Sequence, residues 1–128
     1  MEGKDPYIWI KYAEADMKTA LVLADISDLA AQVIFHAQQA SEKSLKALII
    51  EQGINPKKTH DLSSLIADLS TQFPDLLQFA PITARLMSLY ASTRYPVNLQ
   101  FPQNESVKDF ISLAEQLLQF AKDRIANP

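Results

Sequence analysis

The chain has no cysteine among its 128 residues. Disulfide frameworks, thiol nucleophiles and every cysteine-ligated zinc or iron–sulfur site are therefore excluded, and a reducing compartment is the expectation. Glycine is nearly as scarce. With only Gly3 and Gly53, no loop of closely spaced glycines exists to cradle a nucleotide's phosphates. The two histidines, His36 and His60, belong to no H-E-x-x-H or similar ligand pair, so neither a metal nor another cofactor is expected. No apolar run approaches the roughly 18 residues that span a bilayer. The stretch Met1 to Pro6 shows no basic-then-apolar leader pattern, and the expected location is cytoplasmic, away from any membrane. Asn104-Glu105-Ser106 fits the glycosylation pattern, yet without a secretory signal it reads better as a helix cap. A net charge of −3 and a pI near 5.3 argue against a broad electrostatic grip on duplex nucleic acid. A local basic spot for a nucleotide or single strand remains compatible with that charge.

What is present is a globular composition, 48% hydrophobic and 21% charged, in a length that suits one domain over residues 1–128. Asp5-Pro6 opens a first helix, because the Asp carboxylate accepts from an orphan N–H and Pro is pre-set for the first helical position. Trp9, Ala13, Met17, Ala20 and Ala24 give that helix one face, to about Asp25. Ser27-Asp28 marks a turn and the next cap, and a second helix is expected from about Asp28 to Gln52, with Ile34, Leu45, Leu48 and Ile49 inward beside a small-residue stripe of Ala37, Ala40, Ser41, Ser44 and Ala47. Gly53 and Asn55-Pro56 stop it. Thr59 or Asp61 caps a short third helix with Leu62, Leu65, Ile66 and Leu69 on one face, ended by Phe73-Pro74. A fourth helix from near Pro81 turns Ile82, Leu86, Leu89 and Tyr90 inward until Pro96. A loop follows from Tyr95 to Gln103. The last helix, capped by Asn104, carries Val107, Phe110, Ile111, Ala114, Leu117, Leu118, Ala121 and Ile125. Nothing alternates with period two long enough for a strand. The pattern implies an all-α fold, an antiparallel up-and-down four-helix bundle with an additional short helix.

Three polar groupings are candidates for chemistry. His36, Gln39, Lys43 and Lys46 recur three or four apart on the second helix, which is the spacing either of a site or of a plain solvated face. Lys57-Lys58-Thr59-His60-Asp61 puts two ammonium groups and an imidazole at a helix N-terminus, where an anion is stabilised. The alternative is that the lysines solubilise the loop while Thr59 and Asp61 only cap. Arg94-Tyr95-Pro96 places one of three arginines beside an aromatic ring. A guanidinium can hold phosphate bidentately and a tyrosine can stack on a base, although the pair also suits a helix C-terminus with a packing ring. Asp16 lies on or beside the apolar face of the first helix, where an unpaired carboxylate is unfavourable, so a partner is expected from Lys43 or Arg94.

The segments Phe35-His36-Ala37-Gln38-Gln39-Ala40-Ser41-Glu42-Lys43-Ser44-Leu45-Lys46-Ala47-Leu48, Lys58-Thr59-His60-Asp61-Leu62 and Thr93-Arg94-Tyr95-Pro96, with the Trp9, Ala13, Asp16 opening, together resemble the HEPN domain family, in its prokaryotic, nucleotidyltransferase-associated type. The resemblance covers nearly the whole chain. It implies a bundle of four or five helices, a homodimer, and a role in binding nucleotides or a separately encoded minimal nucleotidyltransferase. The ligand-binding positions expected from the three groupings are Arg94, Tyr95, Lys43, Gln39, His60, Lys58 and His36, with Asp16 as a structural polar group. Other members of the family are metal-independent ribonucleases, toxins of toxin–antitoxin systems among them, whose site pairs an Arg with a His after four to six intervening residues. Here the corresponding positions after Arg94 hold Leu99, Gln100 and Phe101, and no histidine follows His60. The proton transfers at an RNA 2′-hydroxyl lose their usual mediator, a contribution typically worth about 10²–10⁴-fold. The expectation is a non-catalytic binding module; an RNA-cleaving toxin that uses His60 or His36 instead is the alternative.

Overall fold

The structure, a computed structural model, describes residues 4–26, 28–94 and 104–125. Five α-helices follow in order among them: α1 Pro6–Leu23, α2 Ala30–Glu51, α3 Leu62–Leu69, α4 Ala80–Arg94 and α5 Asn104–Arg124, with a 3₁₀ helix at Pro74–Phe79 ahead of α4. No strand occurs among the described residues. No helix there is long and apolar enough to cross a membrane.

Local chemistry sets the boundaries. The Asp5 carboxylate accepts from the Tyr7 N–H at 2.9 Å and Pro6 occupies the first helical position, so α1 begins where the sequence indicates. Its buried stripe is Ile10, Ala13, Met17 and Ala20. Trp9 is only partly covered and Ala24, past the last turn, is exposed, so the face is rotated slightly from the expected one. The start of α2 also differs. Leu29 is the N-cap and offers no side-chain bond, while Asp28 stands exposed outside the helix. A backbone turn, Leu29 N–H to Ile26 C=O at 3.1 Å, positions the entry instead.

Helix α2 is the centre of the bundle and touches each of the other four α-helices. Its small stripe makes that possible. Ala37, Ala40, Ser41, Ser44 and Ala47 are all at most 1% exposed, and short side chains let neighbouring backbones approach. The two hydroxyls return to their own helix, Ser41 Oγ donating to Ala37 C=O at 2.9 Å and Ser44 Oγ to Ala40 C=O at 2.7 Å. Neither hydroxyl of the stripe is left unpaired against the neighbours. Facing them are Ala13 and Ala20 of α1 and Ala114 and Ala121 of α5, with Phe110, Leu113 and Leu117 filling the core. Cross-helix ion pairs show the running directions. Glu14 meets Lys122 at 3.0 Å, Tyr7 shares a recess with Ile125, and Arg85 meets Asp109 at 2.6 Å. Residue number rises along α1 as it falls along α5, so these two helices run antiparallel, and Arg85–Asp109 ties α4 to α5.

In the lower half of the bundle, Asp61 rather than Thr59 caps α3, accepting from Ser63 N–H at 3.0 Å, while the Thr59 hydroxyl accepts from Asp61 N–H at 3.1 Å. Leu62, Leu65, Ile66 and Leu69 are buried as their spacing indicates. The chain does not simply stop at Phe73-Pro74. Proline is tolerated in a first helical turn, so Pro74 opens the 3₁₀ segment, which buries Leu76 and Phe79. Tyr95 to Gln103 lies outside the described residues.

The end of α2 has the geometry of a Schellman motif. Gly53 N–H bonds Ile50 C=O at 2.8 Å and Ile54 N–H bonds Ile49 C=O at 3.3 Å, with Gly53 at φ +79°. A Cβ at Gly53 would meet nothing within 4 Å, so the requirement for glycine is backbone conformation alone. Gly53→Ala should therefore lower stability by about 1–2 kcal/mol, read as a reduced urea midpoint with an unchanged m-value.

Candidate functional site

A helix enclosed as α2 is must pair its charges, and it does so in two clusters of the same composition. In the first, Asp16 reaches from α1 and its carboxylate takes two donors from α2. One oxygen accepts from Lys43 Nζ and the other lies 3.0 Å from His36 Nδ1. His36 and Lys43 are seven residues apart, two helical turns, and so stand one above the other. The Asp16 side chain is 14% exposed, a depth at which a lone carboxylate would be destabilising. The Tyr12 ring lies 5.9 Å from the Lys43 ammonium, within cation–π range, and the Phe35 ring meets His36 edge-on at 5.2 Å.

The second cluster is deeper. Glu42 and Lys46 form an i,i+4 ion pair at 3.0 Å with side chains 6% and 9% exposed. The other Glu42 oxygen lies 2.8 Å from Nδ1 of His60, which sits just ahead of α3. Gln38, fully buried, donates from Nε2 to the His60 backbone C=O at 2.7 Å, and its Oε1 accepts from Gln39 Nε2 at 3.1 Å. The polar arc of α2 thus runs from His36 and Lys43 through Gln39 to Gln38, Glu42 and Lys46. Each histidine of the chain gives Nδ1 to a carboxylate that also faces a lysine.

The structure therefore brings His36, Gln39, Lys43 and His60 onto one continuous polar edge and supplies Asp16 with Lys43 as its partner. Lys46, whose row suited either a site or a solvated face, is buried. The side chain of Arg94, which closes α4, and all of Tyr95 lie outside the described residues, and with them the proposed convergence on that pair. At the α3 N-terminus, Lys58 is exposed, but Lys57 pairs with Asp68 at 3.0 Å and the Asp61 carboxylate itself occupies the capping position. Of the features read there as an anion site, Lys57, the His60 Nδ1 and the capping position are engaged within the chain. An open groove between α1 and α5, lined by Glu14, Met17, Lys18, Leu21, Val22 and Leu118, lies around α1 from Asp16, because positions 14 and 18 point roughly opposite to position 16 on a helix. Sequence reasoning passed over Glu42 and Gln38. The i,i+4 order of Glu42 before Lys46 was a visible signal, but the burial depends on where the distant loop crosses α2.

The two clusters should respond differently to losing their carboxylate. Asp16→Asn should cost about 1.5–3 kcal/mol, the range for hydrogen bonds to a charged group. Glu42→Gln should cost about 3–5 kcal/mol, because Lys46 is left buried and unpaired. Urea denaturation of the two variants measures both, and Glu42→Met combined with Lys46→Leu should recover most of the second loss.

Comparison with known proteins accords with this architecture. The crystal structure of an archaeal HEPN homologue superimposes with a TM-score of 0.69 at 27% identity, over 95% of this chain and 98% of that one. Comparison with curated proteins gave no match. The model of the HEPN domain matches residues 7–124, from the first turn of α1 to the end of α5. With that span matched and the bundle in place, the chain belongs to the HEPN domain family.

Proposed function

We propose that this HEPN domain is a non-catalytic binding module that acts as a homodimer and offers a nucleotide, or a minimal nucleotidyltransferase partner, the polar edge of α2 together with Arg94 and Tyr95. The observation that carries this reading is the Asp16 carboxylate bridging His36 and Lys43. It spans two helices and fixes a basic group and an imidazole, Lys43 and His36, at partly exposed positions, which is pre-organisation of the kind that reduces the entropy lost on binding. The adjoining Gln39 and the exposed His60 and Lys58 extend the same edge with donors suited to phosphate, sugar or base. Arg94 supplies the chemistry for bidentate phosphate contact and Tyr95 a stacking face. The nucleotidyltransferase association rests on the sequence resemblance. Ribonuclease action in the family's usual arrangement requires a histidine where Leu99, Gln100 and Phe101 stand.

Calorimetric titration with ATP, GTP and a short single-stranded RNA tests the reading. Heat is expected with at least one, and Lys43→Ala and Arg94→Ala should each weaken it about tenfold or more, the equivalent of one lost charge-assisted hydrogen bond. No heat with any of the three would restrict the module to a protein partner. Cleavage of the RNA would overturn the non-catalytic reading in favour of the toxin. Sedimentation at several concentrations measures the dimer, for which an isologous interface is expected.

A further inference from the structure

Three buried polar side chains converge on one exposed residue. The His60 side chain is 74% exposed, yet its ring is held through Nδ1 by Glu42, and Glu42 is held by Lys46; its backbone carbonyl is held by Gln38. Gln38, Glu42 and Lys46 are at most 7% exposed. Burying a glutamate, a lysine and an amide is unfavourable compared with apolar residues of the same volume, and positioning a surface loop does not call for it. Asp61 already caps α3 and Leu62 already anchors it in the core. What the three residues do add is a fixed orientation and a fixed tautomer for one imidazole.

The chemistry of that orientation is specific. Glu42 faces an ammonium and is therefore the acceptor in its contact with the ring, so the hydrogen of neutral His60 resides on Nδ1. Nε2 then carries a lone pair and no hydrogen. We propose that the Gln38, Glu42 and Lys46 cradle presents His60 Nε2 to solvent as a built hydrogen-bond acceptor, a subsite for an O–H or N–H donor of the ligand rather than for its phosphate. This deepens the binding reading above and rests on it for the ligand's class: in a nucleotide, the donors are the ribose hydroxyls and the exocyclic or ring N–H groups of the base. The phosphates then fall to the cationic side of the edge, to Lys43. Glu42, Lys46 and Gln38 are positioning residues, and His60 is the one that touches the ligand. His36 is the internal comparison, since its Nδ1 is bonded to Asp16 in the same way but its side chain is only 28% exposed.

Nitrogen-15 NMR of the imidazoles in the free protein, at about pH 8 where histidine is ordinarily neutral, reads the tautomer directly. His60 should show a protonated Nδ1 and a bare Nε2, and Glu42→Gln should abolish that bias while leaving His36 unchanged. Because Glu42→Gln weakens the fold, Gln38→Ala is a second variant, expected to keep the tautomer but broaden the ring signal as the loop loosens. Titration with adenosine should then move the His60 Nε2 resonance, whereas inorganic phosphate should not, and ribose and adenine separately identify which donor is read. An Nε2–H tautomer in the free protein, or a His60 response to phosphate and none to adenosine, overturns the proposal. Should ATP give no heat in calorimetry while the Nδ1–H tautomer is found, the nucleotide reading fails and the acceptor site stands.

Discussion

A helix covered on nearly every side can carry charge only where a partner reaches it, and that constraint shapes everything around α2. Its small residues admit α1 and α5 so closely that the helix loses its own access to water. Each ionisable group it buries must then be met by a specific side chain, from its own next turn or from elsewhere. Asp16 comes from α1 and His60 from the segment before α3, and both arrive at opposite flanks of one polar arc. The core and the polar edge are therefore two results of the same packing: the alanines and serines that bring the helices together also decide which polar residues are left half-covered at the seams.

This pairing explains why the edge suits recognition. Isolated surface lysines and histidines sample many rotamers, and ordering them on binding opposes affinity. Here the ordering is accomplished on folding, by carboxylates that are themselves enclosed. The two clusters also differ in depth, and depth sorts their roles. The Asp16 cluster keeps cation and ring near solvent. The Glu42 cluster withdraws its lysine and exposes only the imidazole.

Much of this was legible before any coordinates. The helices were readable because their apolar residues recur at the helical period, and because Asp5-Pro6, Gly53 and Asp61 are terminal signals with a local mechanism. Asp16 was recognisable as needing a partner, and Lys43 as a candidate, since a carboxylate beside Ala13 and Met17 has few alternatives. The failures share a cause as well. The turn ahead of α2 is legible at Ser27-Asp28, but local sequence does not show that a backbone bond to Ile26, rather than the Asp28 side chain, positions the helix entry. Pro74 was taken for a stop, although proline suits the start of a helical turn equally well. The spacing of Lys46 leaves a site and a solvated face both open, and Glu42 and Gln38 carry no local signal of burial, because the segment that meets them at His60 lies more than a dozen residues later in the chain. Periodicity reports which face of a helix is apolar, not which polar residues a distant segment will cover.

The connection from α2 to α3 has its ends fixed by separate means. Gly53 sets the departure through backbone bonds confined to the last turn of α2, and Gln38, far back along that helix, grips the arrival at His60. The stretch between them bears little of the load. Loop-closure entropy grows only logarithmically with length, so related chains can lengthen the Ile54 to Lys57 stretch with little loss. A single residue inserted between His60 and Leu62 would instead separate the imidazole's grip from the Asp61 cap, which the native register satisfies together. Length variation among relatives should therefore concentrate in the first half of this connection and be rare in the second.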